Sequence, residues 1–89
     1  MALQTQQFDI NTSAVKIFSA MGGPVQVILH NATKGGNNYI FFGGSSAVTT
    51  STGIHLDPGD DYQFVLQPGN ELWAIAADAQ EAHVMWQTL

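Results

Sequence analysis

Hydrophobic and polar positions alternate with a period of two along most of the chain. Val25, Val27 and Leu29 interleave with Gln26, Ile28 and His30. The same alternation sets Tyr62, Phe64 and Leu66 against Gln63 and Val65, and Leu72, Ala74 and Ala76 against Trp73, Ile75 and Ala77. It returns a last time with Ala82, Val84 and Trp86 against His83, Met85 and Gln87. These runs are rich in β-branched and aromatic residues, which suit a pleated, half-buried surface. Phe8–Ile10, Ala14–Phe18, Tyr39–Phe42, Ala47–Thr50 and Ile54–Leu56 are shorter candidates for strands.

Turn chemistry separates the runs. Gly22-Gly23-Pro24, Gly35-Gly36-Asn37-Asn38, Gly43-Gly44-Ser45-Ser46, Pro58-Gly59-Asp60 and Pro68-Gly69-Asn70 punctuate the chain. A Pro-Gly pair at the centre of a turn marks type II, since proline presets φ and glycine accepts the positive φ that follows. Short strands at this spacing predict an all-β chain, a small antiparallel β-sandwich of about eight strands, jelly-roll-like in form. The alanines of Trp73–Glu81 compete for a helix. The alternation of Trp73 and Ile75 with Leu72 and Ala74, at hairpin spacing after Pro68-Gly69, assigns that stretch to a strand. Leu56-Asp57-Pro58-Gly59 has an echo in Leu66-Gln67-Pro68-Gly69, and the two copies predict two edges of a meander. Residues 8–89 form the expected single domain. Met1–Gln7 has little to bury and is expected to be a flexible N-terminal arm, free to add to a neighbour's sheet.

Composition changes the picture at the surface. Of the 89 residues only 10% are charged, against roughly 25% in ordinary soluble domains. Lys16 and Lys34 stand against seven acidic residues, for a net charge of −5. That balance argues against a nucleic-acid binder, which needs a basic stripe to displace counterions. It also argues against docking to an anionic membrane, and no apolar run approaches the roughly 20 residues of a membrane helix. Met1–Gln7 has neither the basic start nor the apolar centre of a signal peptide. Without cysteine, disulfides, thiolate zinc sites and thiol chemistry are excluded.

A lone sandwich keeps charged residues on its outer faces. Here both alternating sets of the last three strands are apolar, with Val65, Trp73, Ile75 and Met85 at the positions that should be polar. A thick core capped by loops would explain them. A covered subunit interface explains them together with the scarcity of charge, and assigns Val65, Trp73, Ile75, Met85 and Trp86 to it. Edge strands without lysine are poorly protected against pairing, which an assembling protein tolerates.

The chemistry-bearing residues form no recognisable catalytic pattern. His30, His55 and His83 lie on separate strands with no HxH or HxxxH spacing, and are expected to be hydrogen-bonded singly rather than to ligate a metal. Asp57, Asp60 and Asp61 cluster around a turn. Calcium accepts such carboxylates, but turn capping accounts for them more simply. The hydroxyls Ser45, Ser46, Thr49, Thr50, Ser51 and Thr52 lack a G-x-S-x-G elbow, and the glycine doublets lack the lysine and helix of a phosphate loop. Trp73, Trp86, Tyr39 and Tyr62 offer rings for stacking on sugars, or for packing. No catalytic residue, cofactor site or metal site is assigned, and the chain is not expected to be an enzyme.

From Tyr39 to Trp86 the chain reads Tyr39-Ile-Phe-Phe-Gly-Gly-Ser, Val48-Thr-Thr-Ser-Thr-Gly-Ile, Leu56-Asp-Pro-Gly, Leu72-Trp-Ala-Ile-Ala and Ala82-His-Val-Met-Trp. This order resembles small virion proteins of tailed bacteriophages, departing from them at Phe41-Phe42, where a smaller or single aromatic residue is expected. The resemblance covers about half the chain and implies a structural role: a capsid decoration, or cement, protein on the virion surface. It implies the major capsid protein of the same phage as partner, a homo-oligomer with a trimer favoured, no nucleic acid and no membrane. The alternative is a carbohydrate- or receptor-binding module of a tail fibre.

Overall fold

The computed structural model describes residues 3–20, 22–32 and 39–88. Among them run β1 (Gln4–Ile10), β2 (Val15–Ser19), β3 (Val25–Asn31), β4 (Ile40–Gly43), β5 (Ile54–Leu56), β6 (Asp61–Leu66), β7 (Glu71–Ala76) and β8 (Gln80–Thr88). They make two four-stranded antiparallel sheets, of order β1-β8-β3-β6 and β2-β7-β4-β5. Successive strands change sheet at every step except β4 to β5. Eight strands in two such sheets form a jelly roll, the sandwich that the alternation predicts.

The core lies where the sheets face each other. Val25, Val27 and Leu29 of β3, Ala82 and Val84 of β8 and Ile10 of β1 meet Ile40 and Phe42 of β4 and Leu72, Ala74 and Ala76 of β7. Each fully buried valine, leucine or isoleucine contributes about 1.5–3 kcal/mol relative to exposure. Ala74 and Ala76 leave room on β7 for the larger Ile40 and Phe42 of the neighbouring strand, with which they pair in register.

The two Pro-Gly turns have a different role from the one expected. Both are type II: Gly59 and Gly69 each have φ +87°, and Asp60 N–H donates to Asp57 O at 3.0 Å as Asn70 N–H does to Gln67 O at 3.1 Å. Neither joins paired strands. The first carries the chain from β5 to β6 and the second from β6 to β7, each time into the other sheet. Each docks on the end of an earlier strand. Gly59 N–H donates to Asn31 O at 2.8 Å while Asn31 N–H donates to Asp60 O; Gly69 N–H donates to Ala20 O at 2.8 Å while Ala20 N–H donates to Asn70 O. The echo is thus one corner used twice, not two edges of a meander. Among the described residues a Cβ at either glycine meets nothing within 4 Å, so backbone strain is what opposes alanine. Gly59→Ala and Gly69→Ala are each expected to destabilise by about 1–2 kcal/mol. Urea denaturation checks this, and unchanged midpoints would remove the turns from the account.

Three further expectations are corrected. Ala47–Thr50 is not a strand. The connection from β4 to β5 is a pair of turns held by side chains, with Ser45 Oγ accepting from Ala47 N–H and Thr49 Oγ1 accepting from Ser51 and Thr52 N–H. Serine and threonine offer the backbone such local partners in place of a ladder. Gln4–Gln7, expected in the arm, form the first half of β1 and pair with His83–Trp86 of β8, because the free edge of β8 satisfies their backbone. Met1 and Ala2 lie outside the described residues, as do Lys34 and the Gly35–Asn38 turn. The last three strands, read as carrying one covered surface, are not neighbours: β6 and β8 flank β3 in one sheet, and β7 lies in the other.

Candidate functional site

The register places the outward residues of the β1-β8-β3-β6 sheet in rows. Thr5, Met85, Ile28 and Gln63 make one row; Gln7, His83, His30 and Asp61 make the next. Gln87, Gln26 and Val65 lie on the other side of the first row. A groove of about 530 Å³ runs over this face, lined by Thr5, Gln7, Ile28, His30, His83 and Met85 among others. Its polar end holds two hydrogen-bonded sets side by side. His30 Nδ1 meets Asp61 Oδ1. His83 Nε2 meets Glu81 Oε2 at 2.9 Å, and Gln7 Nε2 donates to Glu81 Oε1 at 2.9 Å. The two imidazoles face each other across β3 and β8 with ring centres 6.2 Å apart.

The outer face of the second sheet is different in kind. Trp73 and Ile75 of β7 lie beside Gly43 and Phe41 of β4, and Phe41 lies beside His55 of β5. Val48 folds back over Gly43, where a Cβ would come within 2.7 Å of its Cγ2. The loop therefore covers one end of this face. Trp73 Nε1–H donates to Glu71 Oε1 at 2.9 Å, and Lys16 Nζ is 3.7 Å from Glu71 Oε2. At the other end Tyr39, Phe41 and His55 cluster, with ring centres 5.2–6.3 Å apart. Tyr39 stands at 83° to Phe41 and 59° to His55, so the three rings do not lie in one plane as a flat sugar platform would.

A third feature lies between the sheets at the side where β5 and β6 are both edge strands. Leu29, Phe42, Ile54, Leu56, Tyr62 and Phe64 line most of a cleft of about 270 Å³. Ile54 and Tyr62 are exposed at its mouth.

The five residues expected at one interface occupy three places. Val65 and Met85 are on the outer face of the first sheet, in different rows. Trp73 and Ile75 are on the outer face of the second. Trp86 points inward, packs against the core and lies 5.1 Å from Phe18 between ring centres. No single flat surface holds all five. Trp86 falls on the inward parity of β8 with Ala82 and Val84, a placement already implicit in its alternation. The histidines lie on three separate strands, each beside its own carboxylate, as expected of side chains bonded singly. His30 and His83 share a row, whereas His55 lies on the other sheet, its Nε2 3.6 Å from Asp57 Oδ1. Chain spacing carries no trace of that pairing, since it depends on the register of two strands more than 50 residues apart in the chain. The Asp57–Asp61 cluster is divided in turn, with Asp57 beside His55 and Asp61 beside His30.

Comparison with protein-family models finds no match, and comparison with curated proteins finds none. Solved structures do match. A de novo designed double-stranded β-helix, determined by solution NMR, superposes with a TM-score of 0.63 at 13% identity, over 94% of this chain and 99% of that one. A structure from Bacillus endospore appendages, described as a novel family of disulfide-linked pili, superposes with a TM-score of 0.52 at 17% identity, over 99% of this chain and 88% of that one. At such identities the likeness is one of fold, a small double-stranded β-helix.

Proposed function

We propose that this chain is a non-catalytic structural subunit that works by packing against other proteins in an assembled particle, specifically as a decoration protein on a bacteriophage capsid. One observation carries the reading: both outer faces of the jelly roll hold apolar side chains, Ile28, Met85 and Val65 on one and Phe41, Trp73 and Ile75 on the other. A sandwich that works alone has polar residues there. Faces this poor in charge can be buried against a partner with few ions stranded, each of whose burial costs several kcal/mol. The Tyr39–Trp86 resemblance to small virion proteins supports the capsid as the particle. The appendage protein, a pilus component of the same fold, is a second small jelly roll whose description is one of assembly. This chain has no cysteine, so its own assembly would rest on non-covalent contact.

On this reading the Phe41–Ile75 face meets neighbouring copies, with a trimer favoured, and the major capsid protein of the same phage is the partner beneath. Nucleic acid and membrane are not partners, in keeping with the net charge of −5. Contact made only with the assembled shell stabilises that state by mass action. Analytical ultracentrifugation tests the reading together with electron cryomicroscopy of decorated heads. The wild-type chain is expected to sediment above monomer mass and to add regular density to the shell. Ile75→Lys, at a half-buried surface position, is expected to lower the mass to that of a monomer with an unchanged circular dichroism spectrum. A wild-type monomer that adds no density to heads would overturn the proposal.

A further inference from the structure

We infer that His30 and His83 form a two-imidazole clamp for a divalent transition-metal ion on the outer face of the β1-β8-β3-β6 sheet. The argument starts from the carboxylates. An ionised carboxylate oxygen only accepts hydrogen bonds, so a neutral ring nitrogen against it carries the proton. Asp61 therefore places the proton of His30 on Nδ1, and Glu81 places that of His83 on Nε2. The lone pairs are left on His30 Nε2 and His83 Nδ1. A histidine whose second nitrogen donates to a carboxylate is the usual arrangement of a metal ligand, since the carboxylate fixes the tautomer and raises the basicity of the ligating nitrogen. Here two such histidines lie directly opposite each other in register.

Metal–nitrogen bonds of about 2.0–2.1 Å place two imidazole centres that share one ion about 5–6 Å apart. The rings stand 6.2 Å apart, so a small side-chain rotation brings them within that range. Both side chains are partly open to solvent, at 38% and 48%, and border the groove. Among the described residues no three His, Cys, Asp or Glu side chains converge as a closed cation cage. The clamp thus supplies two ligands and leaves the remaining positions to water or to a group from outside the chain. Two imidazoles favour copper, nickel or zinc over magnesium or calcium, which prefer oxygen. Asp61 and Glu81 are positioning residues here, and Gln7 holds Glu81 in turn.

The test is calorimetric titration of the whole chain with Cu²⁺ and Zn²⁺ at neutral pH, in a buffer that does not chelate. One ion per chain is expected, with Cu²⁺ bound more tightly than Zn²⁺. His30→Ala and His83→Ala are each expected to abolish the tight event, and the double variant to resemble either single one. His55→Ala is expected to leave it intact. Asp61→Asn is expected to weaken binding by about tenfold, with one-to-one stoichiometry retained. All four positions are exposed or half-buried, and circular dichroism checks the fold of each variant. The clamp is overturned if wild-type binding does not saturate. It is equally overturned if His30→Ala and His83→Ala each remove only part of an additive signal, as independent surface histidines would.

Discussion

Replacing Ile40 by alanine is expected to cost about 2–5 kcal/mol, while the same replacement at Ile54 is expected to cost less than about 0.5 kcal/mol. The two isoleucines belong to strands that pair with each other, and in sequence both sit in short apolar runs beside a glycine-rich turn. Their surroundings separate them. Ile40 is 0% exposed, on a strand with a partner on each side, opposite Ala76 and Leu56. Its truncation leaves a cavity bounded by side chains already committed to the core, and a close-packed interior refills such a space only in part. Ile54 is 61% exposed, at the first position of the edge strand β5, where its methyl groups already meet water. Small domains have roughly 5–15 kcal/mol to lose in all, so Ile40→Ala removes a large share and Ile54→Ala almost none. Paired urea denaturation curves decide it. Equal midpoint shifts would mean that the edge of the second sheet is covered by more than this chain, and an Ile54→Ala loss that grows with protein concentration would point to a second copy there.

Strand identity was legible in the alternation because period two is a local property, written within each run. All eight strands overlap runs that alternate or carry a short apolar core, and β1 extends Phe8–Ile10 by four polar residues. Those four, Gln4–Gln7, were illegible because their hydrogen-bonding partner is β8, far away in the chain. Ala47–Thr50 misleads in the opposite sense. Its Ala-Val-Thr-Thr composition favours a strand, yet the hydroxyls of Thr49 and Thr52 each accept from the other residue's N–H and bond to each other. Sheet membership is the larger omission. Both Pro-Gly turns have the chemistry of tight reversals, and the sequence does not distinguish a reversal within one sheet from a corner between two. That is why Val65, Trp73, Ile75 and Met85 read as one surface and lie on opposite sides of the molecule. The pairing of His30 with His83 was hidden for the same reason.

Two buried polar side chains, Asn31 and Gln80, are expected to answer mutation in opposite ways. Asn31 is at the end of β3, fully enclosed, where its Nδ2 donates to Leu56 O at 2.8 Å. Its backbone holds the Asp57–Asp60 corner from both sides. Side chain and main chain thus tie β3, β5 and the first Pro-Gly turn into one unit that spans both sheets. Asn31→Leu keeps the branched shape, somewhat enlarged, but strips a buried carbonyl of its donor, and a loss of about 1–3 kcal/mol is expected. Asn31→Asp is expected to cost more at neutral pH, since it sets a carboxylate against that carbonyl in an enclosed place. Burial and the facing carbonyl raise the folded-state pKa of such an aspartate above its unfolded value of about 3.9. The added penalty is therefore absent below that value and grows as the pH rises through and above it. Gln80 is the converse case. Its Nε2 donates to Asp78, but its Oε1 is buried with no hydrogen-bond partner among the described residues. Replacing the amide by the similar apolar shape of Gln80→Met removes an unmet acceptor, so stability is expected to stay within about 0.5 kcal/mol or to rise, the exposed Asp78 being free to turn to water. Denaturation of the three variants at pH 4 and pH 7.5 checks both halves. An Asn31→Leu chain as stable as the wild type would mean that the corner is held by its backbone bonds alone. A Gln80→Met loss as large as that of Asn31→Leu would mean that the Gln80 carbonyl has a partner after all, an internal water being the simplest.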